Sequence, residues 1–358
     1  LHISGEAPDC GWPSDEAQKG SRQFEGEQVR FAAQGKEIRE VDQQAHCSWV
    51  VSSYICSIAW VFWREMATTV QQSFVQLKSN LEITGLQSET VSTRQSRVRD
   101  VMQAGMQVND TFLTGSYARH TMISPLKEAD IDVFCVLDNK YFHWYNGQNG
   151  GPPALLDFVK RTLLKTYTTT PSISRNGQAV TIRFTDFVVD VVVGFHRQGG
   201  GYLIPNSVTN SWLSTDPKKH VELVSAANRY HNGNLVPVIK MLKAWNKSHG
   251  SFFRSFHIEV LALQIFTNVT ITDFPSGVRF FFDRARAAVR VKTLDPAGYG
   301  DDIGKYIDNP SKGDDAVGKL QTALNVALLA EQYNTVNRNR DAIEQWRRLF
   351  PDHFPAYG

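Results

Sequence analysis

The sequence predicts an α+β, bilobal fold: a mixed, largely antiparallel sheet with helices over residues 66–217, followed by a helical lobe over 218–358. Three observations carry that expectation. Apolar runs of strand length, rich in Val and Ile, fall between residues 108 and 195. Two of them, "AVTIRF" and "FVVDVVVGF", are separated only by Thr185-Asp186, which reads as an antiparallel hairpin. Past about residue 217 the apolar spacing becomes helical.

Taken in order, residues 67–81 and 88–104 read as amphipathic helices, the second polar along one side. Val108 to Leu113 is a strand ending at Gly115-Ser116, and Ile131 to Leu137 is the next. "YFHWYNGQNGGPP" is expected to be a loop, residues 154–166 a helix, 179–184 and 187–195 the hairpin, and "RQGGGYLIPNS" a further loop. Helices are expected at 219–231, 235–248, 255–269, 275–289, 314–332 and 341–350.

The chain has 358 residues, 42% of them apolar and 21% charged, with a formal net charge of +2. That is an ordinary globular composition with no global signal for binding nucleic acid, although a local basic groove would not show in a total. Cys10, Cys47, Cys56 and Cys135 form no CxxC pair, and no Cys/His cluster has zinc-ligand spacing. A reducing, cytoplasmic setting is the simplest expectation.

Residues 1–65 differ from the rest. They are rich in Gly, Gln and charge, apart from "CSWVVSSYICSIAWVFW" at 47–63, an uncharged run of 17 residues with four serines. A membrane helix needs about 20 predominantly apolar residues, and no signal-peptide pattern surrounds this run. The expectation is a non-core extension, with the functional protein beginning near Met66 and membrane association not favoured. An interfacial or membrane anchor and a regulatory segment are the alternatives.

The chemistry concentrates in "FLTGSYARHTMISPLKEADIDVF", residues 112–134. Asp130 and Asp132 flank one Ile at the start of a strand, so both point to one face. Asp190 lies inside an otherwise apolar strand, where a carboxylate needs a partner or an ion. If the two strands are neighbours, three carboxylates converge and can hold divalent cations, Mg2+ or Mn2+, two of which serve an in-line phosphoryl displacement. The Gly115-Ser116 turn suits close approach of a triphosphate, with the hydroxyl and backbone N–H groups donating to it. Taken singly, the motif D-x-D is commonly two solvated acids, and Asp190 could pair with Arg183. Their order along the chain and their elements favour the metal-nucleotide reading.

These residues resemble the DNA polymerase beta-type nucleotidyltransferases. More narrowly, "GSYARHTMI…ADIDVFCVL", "YLIPNS…W..TDPKKH", "VIKMLKAWN" and "SFHIEVLAL" resemble the bacterial relatives of cyclic GMP-AMP synthase, the CD-NTases of antiphage defence. The resemblance covers about residues 66–310. It implies that Asp130, Asp132 and Asp190 are the metal-binding triad and that Gly115 and Ser116 hold phosphate. It also implies that Lys243 contacts the donor phosphates, that Ser255 contacts phosphate or base, and that Phe256 stacks on the donor base. Lys240 competes with Lys243 one turn earlier, Phe256 could be ordinary core, and His257 reads as structural. The segment "TLDPAGYGDDIG", 293–304, looks like one that lies near the nucleotide pocket, with no catalytic residue carried over.

The implied function is metal-dependent synthesis of a cyclic di- or oligonucleotide second messenger from nucleoside triphosphates, ATP among them. Regulatory protein partners fit better than DNA sensing, since the Cys/His ligand set of the animal enzymes is missing. The rivals are nucleotidyl transfer to an RNA 3′ end, a protein or a small molecule, and an inactive nucleotide-binding homologue.

Overall fold

Two helices come first among the described residues, and each starts at a capping box that satisfies its first backbone N–H groups. Thr69 and Gln72 cap α1 (Val70–Asn80), and Thr84 and Gln87 cap α2 (Gly85–Gly105). The computed structural model describes residues 67–168 and 172–358. The expectations for residues 1–65, including the apolar run at 47–63, lie outside the described residues. Among the described residues no helix is long and apolar enough to cross a membrane.

The sheet is built from β1 (Val108–Thr114), β2 (Asp130–Leu137), β3 (Ile173–Asn176), β4 (Ala179–Arg183) and β5 (Val188–His196), in the order β1-β2-β5-β4-β3. Only the β2–β5 pair is parallel; the others are antiparallel, as expected of a largely antiparallel mixed sheet. The β4–β5 hairpin forms as the sequence predicts. In β2 and β5, Ile131, Val133, Val189, Val191 and Val193 are buried, and they pack against Val91, Val98 and Met102 of α2 and Leu155, Leu156 and Val159 of α5 (Gly151–Leu164). Between β1 and β2 the chain makes a one-turn helix, α3 (Gly115–Ala118), and a 3-10 turn at Leu126–Glu128.

Two expected loops hold regular structure. Asn139–Tyr145 is a helix, α4, whose N-cap Asp138 accepts a hydrogen bond from the Lys140 amide. Within "RQGGGYLIPNS", Tyr202–Asn206 is β6, in a hairpin with β7 (Ser211–Thr215). β6 pairs with β5 only at Tyr202 and Leu203, so Pro205, which has no N–H to give, sits where that edge is unpaired.

The second half packs α6 (Pro217–Tyr230), α7 (Leu235–Ser248), α8 (Ser255–Ile265), α9 (Phe274–Ala288), α10 (Pro310–Thr335) and α11 (Asn339–Leu349). Helix α7 is the spine, buried at every residue from Val238 to Asn246. Although α1 precedes the sheet in sequence, it packs with this half. Phe74 is fully buried and meets the rings of Trp346 at 4.9 Å and Phe354 at 5.2 Å.

Candidate active site

The parallel pairing of β2 with β5 places Asp132 directly beside Asp190 and Asp130 beside Val188. With Ile131 turned into the core, both β2 acids lie on the face away from it. Asp190 accepts a hydrogen bond from the Thr181 hydroxyl, its cross-strand neighbour on β4. Arg183 sits opposite Val188 instead, and acts on Asp130 through space. The crowding shows in the proton affinities. Burial pushes Asp132 up to about 7, with Asp190 and Asp130 adding to the rise and Arg119 opposing it. Asp130 is raised as well, by burial and then by Asp190.

Thr114, the last residue of β1, pairs with Asp132, so the turn that follows lies against that carboxylate. Gly115 is required there twice over. Its φ of +67° is left-handed, and a Cβ on it would stand 1.7 Å from Asp132 Oδ2. The carbonyl of Ser116 accepts from the amides of Thr121 at 2.9 Å and Met122 at 3.1 Å, which folds the next segment back under the turn.

The facing wall comes from α7 and α8. Lys243 is buried and donates to the Thr121 carbonyl at 2.8 Å and to Glu259 Oε1 at 3.2 Å. Arg119 completes the cluster, with Nε donating to Glu259 Oε2 at 2.8 Å and Nη2 to Oε1 at 3.3 Å. Burial pushes the Glu259 carboxyl up, and Lys243 and Arg119 together more than offset it, leaving it below its ordinary value. Burial lowers Lys243 despite Glu259. Lys240 turns elsewhere, to Glu82 at 2.6 Å. Ser255 opens α8, and Phe256 follows half-buried, with the Arg119 guanidinium 4.9 Å from its ring centroid. His257 points away, hydrogen-bonded to Tyr306 and Thr293, and burial lowers it to about 4.

One cavity of about 400 Å³ is lined by all eight residues singled out from the sequence: Gly115, Ser116, Asp130, Asp132, Asp190, Lys243, Ser255 and Phe256. Sequence reasoning missed Arg119 and Glu259, which line it too. Glu259 carried a usable signal, since an acid inside "HIEVLAL" must find a partner once buried, the logic that picked out Asp190.

The three carboxylates are hard oxygen donors, chemistry that fits Mg2+ or Mn2+. Among the described residues no group of three His, Cys, Asp or Glu side chains stands ready to hold a metal ion. Like charges repel, and Thr181 holds one oxygen of Asp190.

Comparison with known proteins agrees with this architecture. Residues 68–228 match the model of the Second Messenger Oligonucleotide or Dinucleotide Synthetase domain. A cyclic AMP-AMP-AMP synthase of an Acinetobacter species is 28% identical over 195 residues, 52% of this chain and 54% of that protein. The chain thus spans about half the length of the curated relatives it matches. Among solved structures, CdnC of E. coli MS115-1 with ATP superposes with a TM-score of 0.64 at 14% identity, covering 80% of this chain and 99% of that one. The same protein has been solved in a complex with HORMA-deltaN. The CD-NTase CdnG of Bradyrhizobium diazoefficiens with GTP gives 0.60 at 14% identity, covering 78% and 95%. The fold is that of the CD-NTases.

Proposed function

We propose that this chain, whose residues 68–228 match the model of a second messenger oligonucleotide or dinucleotide synthetase domain, joins nucleoside triphosphates, ATP among them, into a cyclic di- or oligonucleotide. One observation carries the reading. Three acids and a Gly-Ser turn on the sheet face a lysine, a serine and an aromatic ring on the helices across a single cavity.

In the proposed reaction the acceptor 3′-hydroxyl oxygen bonds to the donor α-phosphorus, the bond from that phosphorus to the bridging oxygen breaks, and pyrophosphate leaves. The hydroxyl would be activated near Asp190, which would take its proton. Gly115 and Ser116 hold phosphate oxygens, Lys243 neutralises their charge, and Phe256 carries the donor base. Asp130, Asp132 and Asp190 would hold two divalent ions, which when bound supply charge neutralisation at the attacking and leaving oxygens. Catalysis then comes chiefly from positioning and preorganised charge. The setting we infer is the bacterial cytoplasm and antiphage signalling, under regulatory protein partners rather than DNA.

The test is incubation of the protein with four labelled nucleoside triphosphates and Mg2+ or Mn2+, then phosphatase treatment and mass spectrometry. A phosphatase-resistant cyclic product is expected. Exclusively linear products, or extension of an added RNA, would assign another acceptor; no turnover would mark a nucleotide-binding homologue.

A further inference from the structure

Two sequence features remain without a role: the histidine of "TDPKKH" and the segment 293–304. The structure joins them behind Phe256. His220 Nε2 donates to Asp295 Oδ1 at 2.6 Å, and its ring lies 5.0 Å from that of Phe256, tilted by 60°. Arg119 sits 4.9 Å from the same ring, so Phe256 is gripped by one group from each lobe. His220 is not among the residues that line the cavity.

Asp295 is a firm anchor. Its Oδ1 also accepts from the Ala297 amide at 3.1 Å, and its Oδ2 accepts from the amides of Tyr299 at 3.3 Å and Gly300 at 2.7 Å. These bonds and His220 outweigh burial and hold its carboxyl down to about 2, so it is ionised throughout the working pH range. The loop itself is fastened at three further points. Thr293 Oγ1 meets His257 Nε2 at 3.0 Å, and Asp302 Oδ1 accepts from the amides of Thr293 at 2.9 Å and Gly304 at 2.8 Å. Tyr299 lies against Gly201, where a Cβ would come 3.2 Å from the ring, and under the Arg197 guanidinium at 5.3 Å.

We propose that His220 is a positioning residue for nucleotide binding: fixed by Asp295, it sets the ring of Phe256 on which the donor base stacks. A free phenylalanine in a half-open cavity would sample rotamers, and a base arriving on it would have to order the ring first. The His220 and Arg119 contacts meet that ordering cost before the nucleotide arrives. The inference rests on Phe256 being the base platform.

The experiment measures Kd of the full chain for α,β-methylene-ATP with Mg2+, beside Tm and cyclisation kinetics, for His220→Ala and His220→Gln in the native and Phe256→Ala backgrounds. His220→Gln can keep the bond to Asp295, and so the loop, while removing the ring. Both variants are expected to weaken Kd and raise KM about five-fold, as loss of an aromatic contact does. For each, kcat is expected to change less than two-fold, and His220→Gln is expected to keep the native Tm. In the Phe256→Ala background neither change should weaken binding further. An unchanged Kd in His220→Gln, an equal loss in both backgrounds, or a Phe256→Ala variant that binds normally would each overturn the proposal. Should the native chain bind the analogue on Phe256 but form no cyclic product, the cyclisation reading falls while the positioning role stands.

Discussion

On the sheet side of the cavity Asp190 raises the proton affinity of Asp130 and Asp132, and Asp130 adds to the rise of Asp132, whereas on the helical side Glu259 is met by both Arg119 and Lys243. The first wall crowds three acids, which Arg183 and Arg119 offset only in part; the second balances a buried acid with two buried cations. Natural folds keep the first arrangement at a cost in stability, which is why the proposed function gives that wall to the ligand. The second wall ties Arg119, after β1, to Glu259 on α8, and so links the two halves. The pH dependences run in opposite directions. The native state holds the Asp132 proton more tightly than the unfolded chain, so stability from it is full below 3.8 and is lost as pH rises through about 7. Glu259 is depressed, so its contribution is present above 4.5 and is lost as pH falls through its lower native value.

The largest effect expected is from Asp130→Asn with Asp132→Asn. Product formation should fall at least about 1,000-fold, since the removed charges act where transition-state charge is stabilised. Tm in EDTA should stay level or rise at pH 8, because clustered carboxylates repel when nothing bridges them, and the gain should vanish near pH 4. Normal turnover by this variant would sink the mechanism; a collapse of Tm would make these acids structural.

Removing the acid on the other wall should do the reverse to stability. Glu259→Gln leaves Arg119 and Lys243 buried with no countercharge, a change of the kind that costs about 3–5 kcal/mol. Urea unfolding of the two variants side by side checks the contrast. If Glu259→Gln proves as stable as the native chain, the cations have other outlets and the second wall is not an interlobe tie.

How far this was legible in the sequence follows the range of the interactions. D-x-D, Gly-Ser and the lone Asp in a valine strand are local signals, and the hairpin of β4 with β5 brought Asp190 into the sheet on local grounds too. Pairing of β2 with β5 was legible only through the chemical need of Asp190 for company. The Arg119–Glu259 bond joins residues 140 apart, and nothing near Arg119 announces it. Strand β6 was hidden by Gly199-Gly200-Gly201 and Pro205, residues that argue for a loop until edge position excuses them. The packing of α1 among the last helices was hidden as well, because a buried amphipathic face does not name its partner.

A smaller effect sharpens the sheet side. Gly115→Ala forces a left-handed residue and a Cβ onto the Asp132 carboxylate, at a cost of about 1–3 kcal/mol for the backbone alone. Activity should fall as the turn or the carboxylate shifts. Asp132→Ala in the Gly115→Ala background should recover part of the stability by relieving the clash, while the φ strain remains. A fully additive double mutant would show that the turn gives way elsewhere.

The smallest effect separates two lysines on one helix. The Lys243 ammonium has three donors; two are engaged, by Thr121 and Glu259, and one remains for a phosphate oxygen in the cavity that Lys243 lines. Lys240 lies one turn earlier, meets Glu82, and does not line the cavity. Lys243→Ala should therefore raise KM for the triphosphate about ten-fold, the scale of one charge-assisted contact, with some loss of stability from weakening the Glu259 cluster. Lys240→Ala should leave KM within about two-fold and lower stability by no more than about 1 kcal/mol, since Glu82 is 47% exposed and keeps its hydration. Steady-state kinetics on both, corrected for the folded fraction, decides between them. If Lys240→Ala raises KM more than Lys243→Ala, the phosphates lie beyond the α1 side of the spine helix, and the wall made by α7 and α8 is not the nucleotide's.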